Sequence, residues 1–132
     1  MLSVDRLSRS PVYEKIISQF ERLIANDNFK ENEQLPSVRT LSQQLTINPN
    51  TIQKAYVEME RRGLCKTAQG SGRFVTGEAK ELIANSRRKE LNELRPIIST
   101  FIDAGISKGE ILQSIEGICN MIEAEQKGGM GA

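Results

Sequence analysis

A chain of 132 residues has room for one compact domain and a small accessory one, with a core of modest size. Eighteen Lys and Arg against seventeen Asp and Glu leave a net charge of +1, so bulk charge by itself points to no partner. The chain lacks histidine and has only two cysteines, Cys65 and Cys119, which excludes histidine-based catalytic triads and leaves transition metals few ligands; no catalytic residue, metal or cofactor is expected. No Gly-rich nucleotide loop follows a strand, no apolar run is long enough to span a bilayer, and the N-terminus has no secretory pattern. The expectation is a cytoplasmic protein with free thiols and no membrane association.

After a short extended arm, Ser10-Pro11 reads as N-cap and first helical residue. Tyr13, Ile16, Ile17, Phe20, Leu23 and Ile24 then recur at i, i+3, i+4, i+7 spacing, predicting an amphipathic helix that ends near Asn26. Residues 27–34 are polar and turn-rich. Leu35-Pro36-Ser37 opens a second helix with Ser37 as N-cap, and Val38, Leu41 and Leu45 face inward. Thr46, Ile47 and Asn48 form a turn in which Ile47 fills the gap between helices. Asn48-Pro49 is again a cap followed by a residue of preset φ, so a third helix runs from Pro49 to about Arg62, with Gly63 as its C′ residue. Its inward stripe is Ile52, Ala55, Tyr56 and Met59. Asn50, Thr51, Gln53, Lys54 and Val57 lie on the other side, where amide, hydroxyl and ammonium groups suit base edges and phosphates.

The period then changes to two. Residues 64–68 and 73–76 read as short strands joined by Gln69-Gly70-Ser71-Gly72, and a hairpin directly after such a helix is a wing. Lys66 and Arg73 flank its tip. From Ser37 to Thr76 six basic residues face two acidic ones, a local +4, whereas from Glu78 onward seven basic meet nine acidic, giving −2. The excess positive charge coincides with the helix-turn-helix pattern, as a phosphate backbone would select.

From Glu78 the chain is helical again, with Leu82, Ile83, Leu91, Leu94, Ile97, Ile98, Phe101 and Ile102 on an apolar face and a kink or break expected near Leu94 or Arg95 because of Pro96. Gly105 ends this helix. Ser107-Lys108-Gly109-Glu110 is a capping box with Ile106 and Ile111 as a hydrophobic staple, and a last helix presents Ile111, Leu112, Ile115, Ile118, Cys119 and Ile122. Cys65 and Cys119 are read as strand and core residues rather than redox sensors. Two such helices cannot hide their apolar stripes alone, so a second copy is expected to cover Leu94, Ile97, Ile98, Phe101, Ile111, Ile115, Ile118 and Ile122. The expected division is a winged helix-turn-helix over residues 1–77, a helical dimerisation hairpin over 78–126 and a disordered tail over 127–132, in a mostly α fold with a small β wing.

The segment LPSVRTLSQQLTINPNTIQKAYVEMERRGL, followed by QGSGRFV, closely resembles the winged helix-turn-helix domain of the GntR family of bacterial transcription regulators, over residues 11–76. The ordered features are the Leu-Pro-Ser-x-Arg helix start, the Asn-Pro-Asn-Thr turn, the Gly-Leu after the third helix and the Gly-x-Gly-x-Phe-Val wing. The short helical C-terminal part is similar to the YtrA subfamily, whose dimerisation domain is reduced. The resemblance implies DNA contacts by Arg39, Asn50, Thr51, Gln53, Lys54, Gly70 and Ser71, a phosphate contact at Ser37, and repression of a nearby operon, often one for an ATP-driven transporter. Many relatives carry a basic residue beside the wing glycine, where this chain has Gln69 and Ser71; Arg73 is then the basic residue that substitutes, and specificity rests chiefly on Arg39 and on Asn50 to Lys54.

A homodimeric reader of double-stranded DNA at a palindromic operator, acting as a repressor, is therefore the expected function. Two other readings stand beside it: a sensor whose small-molecule effector enters between the C-terminal helices, and a winged helix used only for protein interaction. Arg61 and Arg62 sit at a helix C-terminus, where the macrodipole already favours cations, and are read mainly as structural.

Overall fold

In the computed structural model, which describes Leu2 and residues 10–130, the first helix, α1 (Val12–Ala25), buries Ile16, Ile17, Phe20 and Ile24 on one face. It starts one residue later than the sequence suggests. Pro11, extended at φ −55° and ψ 147°, is itself the N-cap and lacks a side-chain cap; its carbonyl accepts from the N–H groups of Glu14 and Lys15. Glu14 in the first turn complements the exposed N–H groups. Apart from Leu2, the expected N-terminal arm lies outside the described residues.

Helix α2 (Val38–Leu45) is capped as expected: the Ser37 hydroxyl accepts from the Thr40 N–H at 3.0 Å. Thr46 ends it in the left-handed region at φ 55°, and Ile47 packs half-buried against the core. Helix α3 (Pro49–Arg61) starts with the Asn48 side chain accepting from the Asn50 N–H at 2.8 Å. At its far end Gly63, at φ +83°, turns the chain so that the Leu64 N–H reaches the Met59 carbonyl. Ile52, Ala55, Tyr56 and Met59 are buried, so the inward stripe is the one the spacing predicts.

Strands β1 (Cys65–Ala68) and β2 (Gly72–Val75) pair antiparallel, Cys65 opposite Val75 and Ala68 opposite Gly72. A third segment, unforeseen in the sequence, lines the other edge of β2: the Leu35 N–H donates to the Arg73 carbonyl, the Val75 N–H to that of Glu33 and the Asn32 N–H to that of Val75, with Gln34 bridged to Phe74. Asn32, Glu33 and Gln34 are exposed and polar, so no hydrophobic alternation announces this strand-like stretch.

Helix α4 (Ala79–Glu90) buries Ala79 and Ile83 in the same core, and the compact head accordingly extends to Arg88, well past an edge at residue 77. Glu21 of α1, itself buried, lies 3.4 Å from Arg87 and 3.7 Å from Arg62, and Lys80 pairs with Asp27 at 2.9 Å; the Arg87 and Lys80 pairs link α4 to the rest of the head.

Residues 89–132 form the second compact unit. A short 3-10 turn (Leu91–Glu93) precedes α5 (Leu94–Asp103), so the α-helix is interrupted at 91–93, next to the expected position near Leu94. The cause is Pro96, whose ring is incompatible with a helical carbonyl four residues earlier, at Asn92. Gly105 ends α5 at φ +87°, Ser107 caps α6 (Lys108–Met130) by accepting from the Glu110 N–H at 3.2 Å, and Ile111 packs back to 8% exposure. The tail expected to be disordered from Lys127 is helical through Met130, and residues 131–132 lie outside the description. Glu123 and Lys127 stand four apart in the favourable order, which extends the helix. No helix among the described residues is long and apolar enough to cross a membrane.

Candidate nucleic-acid interface

Helix α3 offers its open face because its other face is committed. Phe20 and Tyr56 meet edge-to-face at 5.8 Å between centroids, and the Tyr56 hydroxyl donates to the Pro36 carbonyl at 2.7 Å. That bond ties α3 to the residues that start α2. Burial holds the phenol well above its ordinary pKa, so Tyr56 is a neutral core donor. On the open side Asn50, Gln53, Lys54 and Val57 are exposed and Thr51 is half-buried.

A groove of about 350 Å³ runs between the start of α2, the middle of α3 and the wing. Ser37, Gln53, Tyr56, Thr67, Gly72 and Arg73 are among its lining residues. The structure thus brings Ser37, Gln53 and Arg73 together. The Ser37 hydroxyl is already engaged, accepting from the Thr40 N–H and donating to Thr40 Oγ1 at 2.8 Å. Arg73 is not a tip residue in effect: its guanidinium lies 5.3 Å from the Tyr56 ring centroid, and its Nε is buried without a hydrogen-bond partner among the described residues. Gly70, at φ +78°, and Ser71 form the exposed tip, closed by the Ser71 N–H donating to the Ala68 carbonyl at 2.9 Å.

Lys54 points towards α1 instead of the groove, with Nζ 4.2 Å from the centroid of the Tyr13 ring. Tyr13 figured in the sequence only as part of a core stripe, and its spacing gave no sign of this role. Arg39 is exposed on α2.

The cations of the head divide into two groups. Arg61 and Arg62 are both tied to Glu58, at 2.5 and 2.8 Å, and Lys80, Arg87 and Arg88 have carboxylate partners. The two guanidiniums hold the Glu58 carboxyl at a pKa of about 2. Among the described residues no ion pair engages Arg39, Lys54 or Lys66, which lie on α2, on the open face of α3 and on β1. Cys65 is buried under the wing with its thiol pushed up to about 11, chiefly by desolvation, so it is an inert packing residue. Cys119, by contrast, is exposed in the single chain rather than a core residue, because its face of α6 has no covering element among the described residues. Those residues hold no cluster of His, Cys, Asp and Glu suited to a metal.

In the second unit Leu94, Ile97, Phe101, Ile115, Ile118 and Ile122 are exposed, Ile118 to 56%, while Ile98 is half-buried and Ile111 is already covered within the chain. Ile98, Phe101, Ile106, Ile111, Ile115 and Ile118 line a shallow apolar groove of about 260 Å³ between α5 and α6.

A family model described as bacterial regulatory proteins, gntR family, matches residues 12–75. The HTH-type transcriptional repressor YtrA of Bacillus subtilis (strain 168) is 34% identical over 130 residues, which is 98% of this chain and 97% of that protein. The crystal structure of a transcriptional regulator from Oenococcus oeni matches with a TM-score of 0.71 at 32% identity, over 85% of this chain and 93% of that one. AraR(DBD), solved in complex with operator ORX1, matches 58% of this chain and 96% of its own at 25% identity and a TM-score of 0.52. With a winged head whose helix starts, turn and wing follow one after another in the matched segment, and a similar repressor aligned nearly end to end, the chain belongs to the GntR family of bacterial regulatory proteins, which are DNA-binding transcription regulators and not enzymes.

Proposed function

We propose that this protein is a cytoplasmic homodimeric repressor that binds a palindromic operator in double-stranded DNA. Asn50, Thr51 and Gln53 read base edges in the major groove. Arg39, Lys54 and Ser37 meet backbone phosphates, and Gly70 and Ser71 bring the wing backbone close to the duplex, with Arg73 behind them. The observation that carries this reading is the division of the cations: among the described residues those beside the open face of α3 have no carboxylate partner, while those at its C-terminal end are neutralised by carboxylates. AraR(DBD) in complex with its operators supports a head of this fold as a DNA reader, and the repressor YtrA supports the sign of regulation.

The dimer rests on the exposed stripe of α5 and α6. At about 25 cal/mol per Å², leaving such Ile, Leu and Phe side chains in water forfeits several kcal/mol, comparable with the stability of a small domain. A two-fold axis through this stripe gives each dimer two reading heads, which suits a palindrome. The groove lined by Phe101 and Ile115 also favours a second reading, in which a small apolar effector enters there and alters DNA affinity.

The test is anisotropy titration of a labelled duplex at several salt concentrations. Binding should weaken with a log–log slope of about −0.9 per phosphate neutralised, and a flat response would contradict the proposal.

A further inference from the structure

We infer that Gln34 is a positioning residue that fixes the wing for DNA binding, an inference that rests on the proposed wing contact. Its side-chain amide crosses 37 residues of sequence to donate from Nε2 to the Ser71 carbonyl at 2.8 Å, at the wing tip. The approach depends on Gly72 at φ +104°: a Cβ there would stand 2.6 Å from the same Nε2, so a side chain at this position would push the clamp away. The backbone beside Gln34 is fastened to β2, with the Leu35 N–H 2.9 Å from the Arg73 carbonyl. One residue further on, the Pro36 carbonyl receives the Tyr56 hydroxyl of the reading helix, and Ser37 caps α2. Residues 34–37 therefore connect the wing tip, the reading helix and the start of α2 in one continuous tie.

The tie has a consequence because of what the tip lacks. Gln69, Gly70 and Ser71 bear no charge, so the tip has no long cationic side chain with which to search for a phosphate. Its contact must come from backbone and a short hydroxyl, which reach a ligand only when the hairpin is already correctly placed. A two-stranded hairpin is marginal on its own, and the Gln34 clamp removes that freedom before DNA arrives.

The experiment compares the full chain with Gln34→Met, which keeps size and neutrality but removes the donor. Amide hydrogen exchange in the free protein should quicken at Ser71 and Leu35 by about five-fold, the effect of one lost hydrogen bond, with the unfolding midpoint little changed. Affinity for a duplex selected from a random pool should fall about five-fold with the salt slope unchanged. In a variant whose residues 69–71 are replaced by a two-residue Asn-Gly turn, Gln34→Met should cost no further affinity. Unchanged exchange at Ser71 overturns the clamp, whether or not DNA binds. An equal affinity loss in the short-wing variant overturns positioning in favour of a direct contact by Gln34. Failure of the parent to bind any duplex, with exchange at Ser71 still faster in Gln34→Met, overturns the DNA reading while leaving the clamp itself supported.

Discussion

The ammonium of Lys54 lies over the ring of Tyr13, 4.2 Å from its centroid, so a cation of α3 is held by an aromatic side chain of α1. A cation–π contact at an exposed site is worth about 0.5–1 kcal/mol, enough to select one direction for a long side chain without neutralising it. Lys54 is therefore aimed and still charged.

This pairing separates two variants. Lys54→Ala removes the proposed phosphate contact and should reduce the magnitude of the salt slope by about 0.9. Tyr13→Leu keeps the Lys54 charge and removes its aromatic support, together with a long exposed hydrogen bond to Glu14, so affinity should fall about two- to five-fold with the slope unchanged. Equal slopes for parent and Lys54→Ala would remove Lys54 from the phosphate contacts.

Gly63 carries a prediction about stability. It stands at φ +83°, and an added Cβ would lie 3.0 Å from Cδ1 of Leu82 on α4. Gly63→Ala should destabilise the head by about 1–2 kcal/mol through the left-handed backbone alone, with the Leu82 contact adding to it. Urea unfolding followed by circular dichroism measures this, and an unchanged midpoint would contradict it.

The legibility of the fold in the sequence follows from the same kind of residue. Where a helix ends on a local device, such as the Ser37 and Asn48 caps or Gly63 at positive φ, the sequence carries the signal because neighbouring residues bear the cost. The open face of α3 was legible for the same reason, since the buried Ile52, Ala55, Tyr56 and Met59 define its opposite. Three features were not legible. The stretch around Gln34 pairs through backbone atoms and shows no alternation. Arg73 turns onto Tyr56, a choice made by tertiary contact. The apolar anchoring of α4 in the head comes from two buried residues, Ala79 and Ile83, amid a helix otherwise polar enough to belong anywhere.

Glu58 gives the head an acid-sensitive element. Its carboxyl is lowered from 4.5 to about 2 by hydrogen bonds from Arg61 and then Arg62. A depressed carboxylate contributes stability that is present above its unfolded pKa and is lost as pH falls through the folded one. The stability difference between the parent and Glu58→Gln should therefore be constant above about pH 5 and shrink between pH 4.5 and 2. Denaturation midpoints of both proteins at pH 6, 4 and 2.5 check this, and a difference independent of pH would contradict it.

The two cysteines report on the dimer without any DNA. Cys65 is buried with its thiol pushed up to about 11, so it should resist alkylation at neutral pH in the folded chain. Cys119 is exposed in the single chain, and it lies four residues after Ile115 and three before Ile122, on the apolar side of α6. Its alkylation should be fast in dilute solution and slow at concentrations where two copies associate. A rate independent of protein concentration, across a range in which sedimentation shows monomer giving way to dimer, would place the interface elsewhere.

The most direct test of a two-fold DNA reader is selection of bound duplexes from a random pool by the purified chain. The enriched sequences should contain an inverted repeat whose half-site centres are about 34–36 Å apart, one helical turn, or a multiple of it. A single unrepeated motif, or no enrichment at all, would contradict a dimer that reads a palindrome.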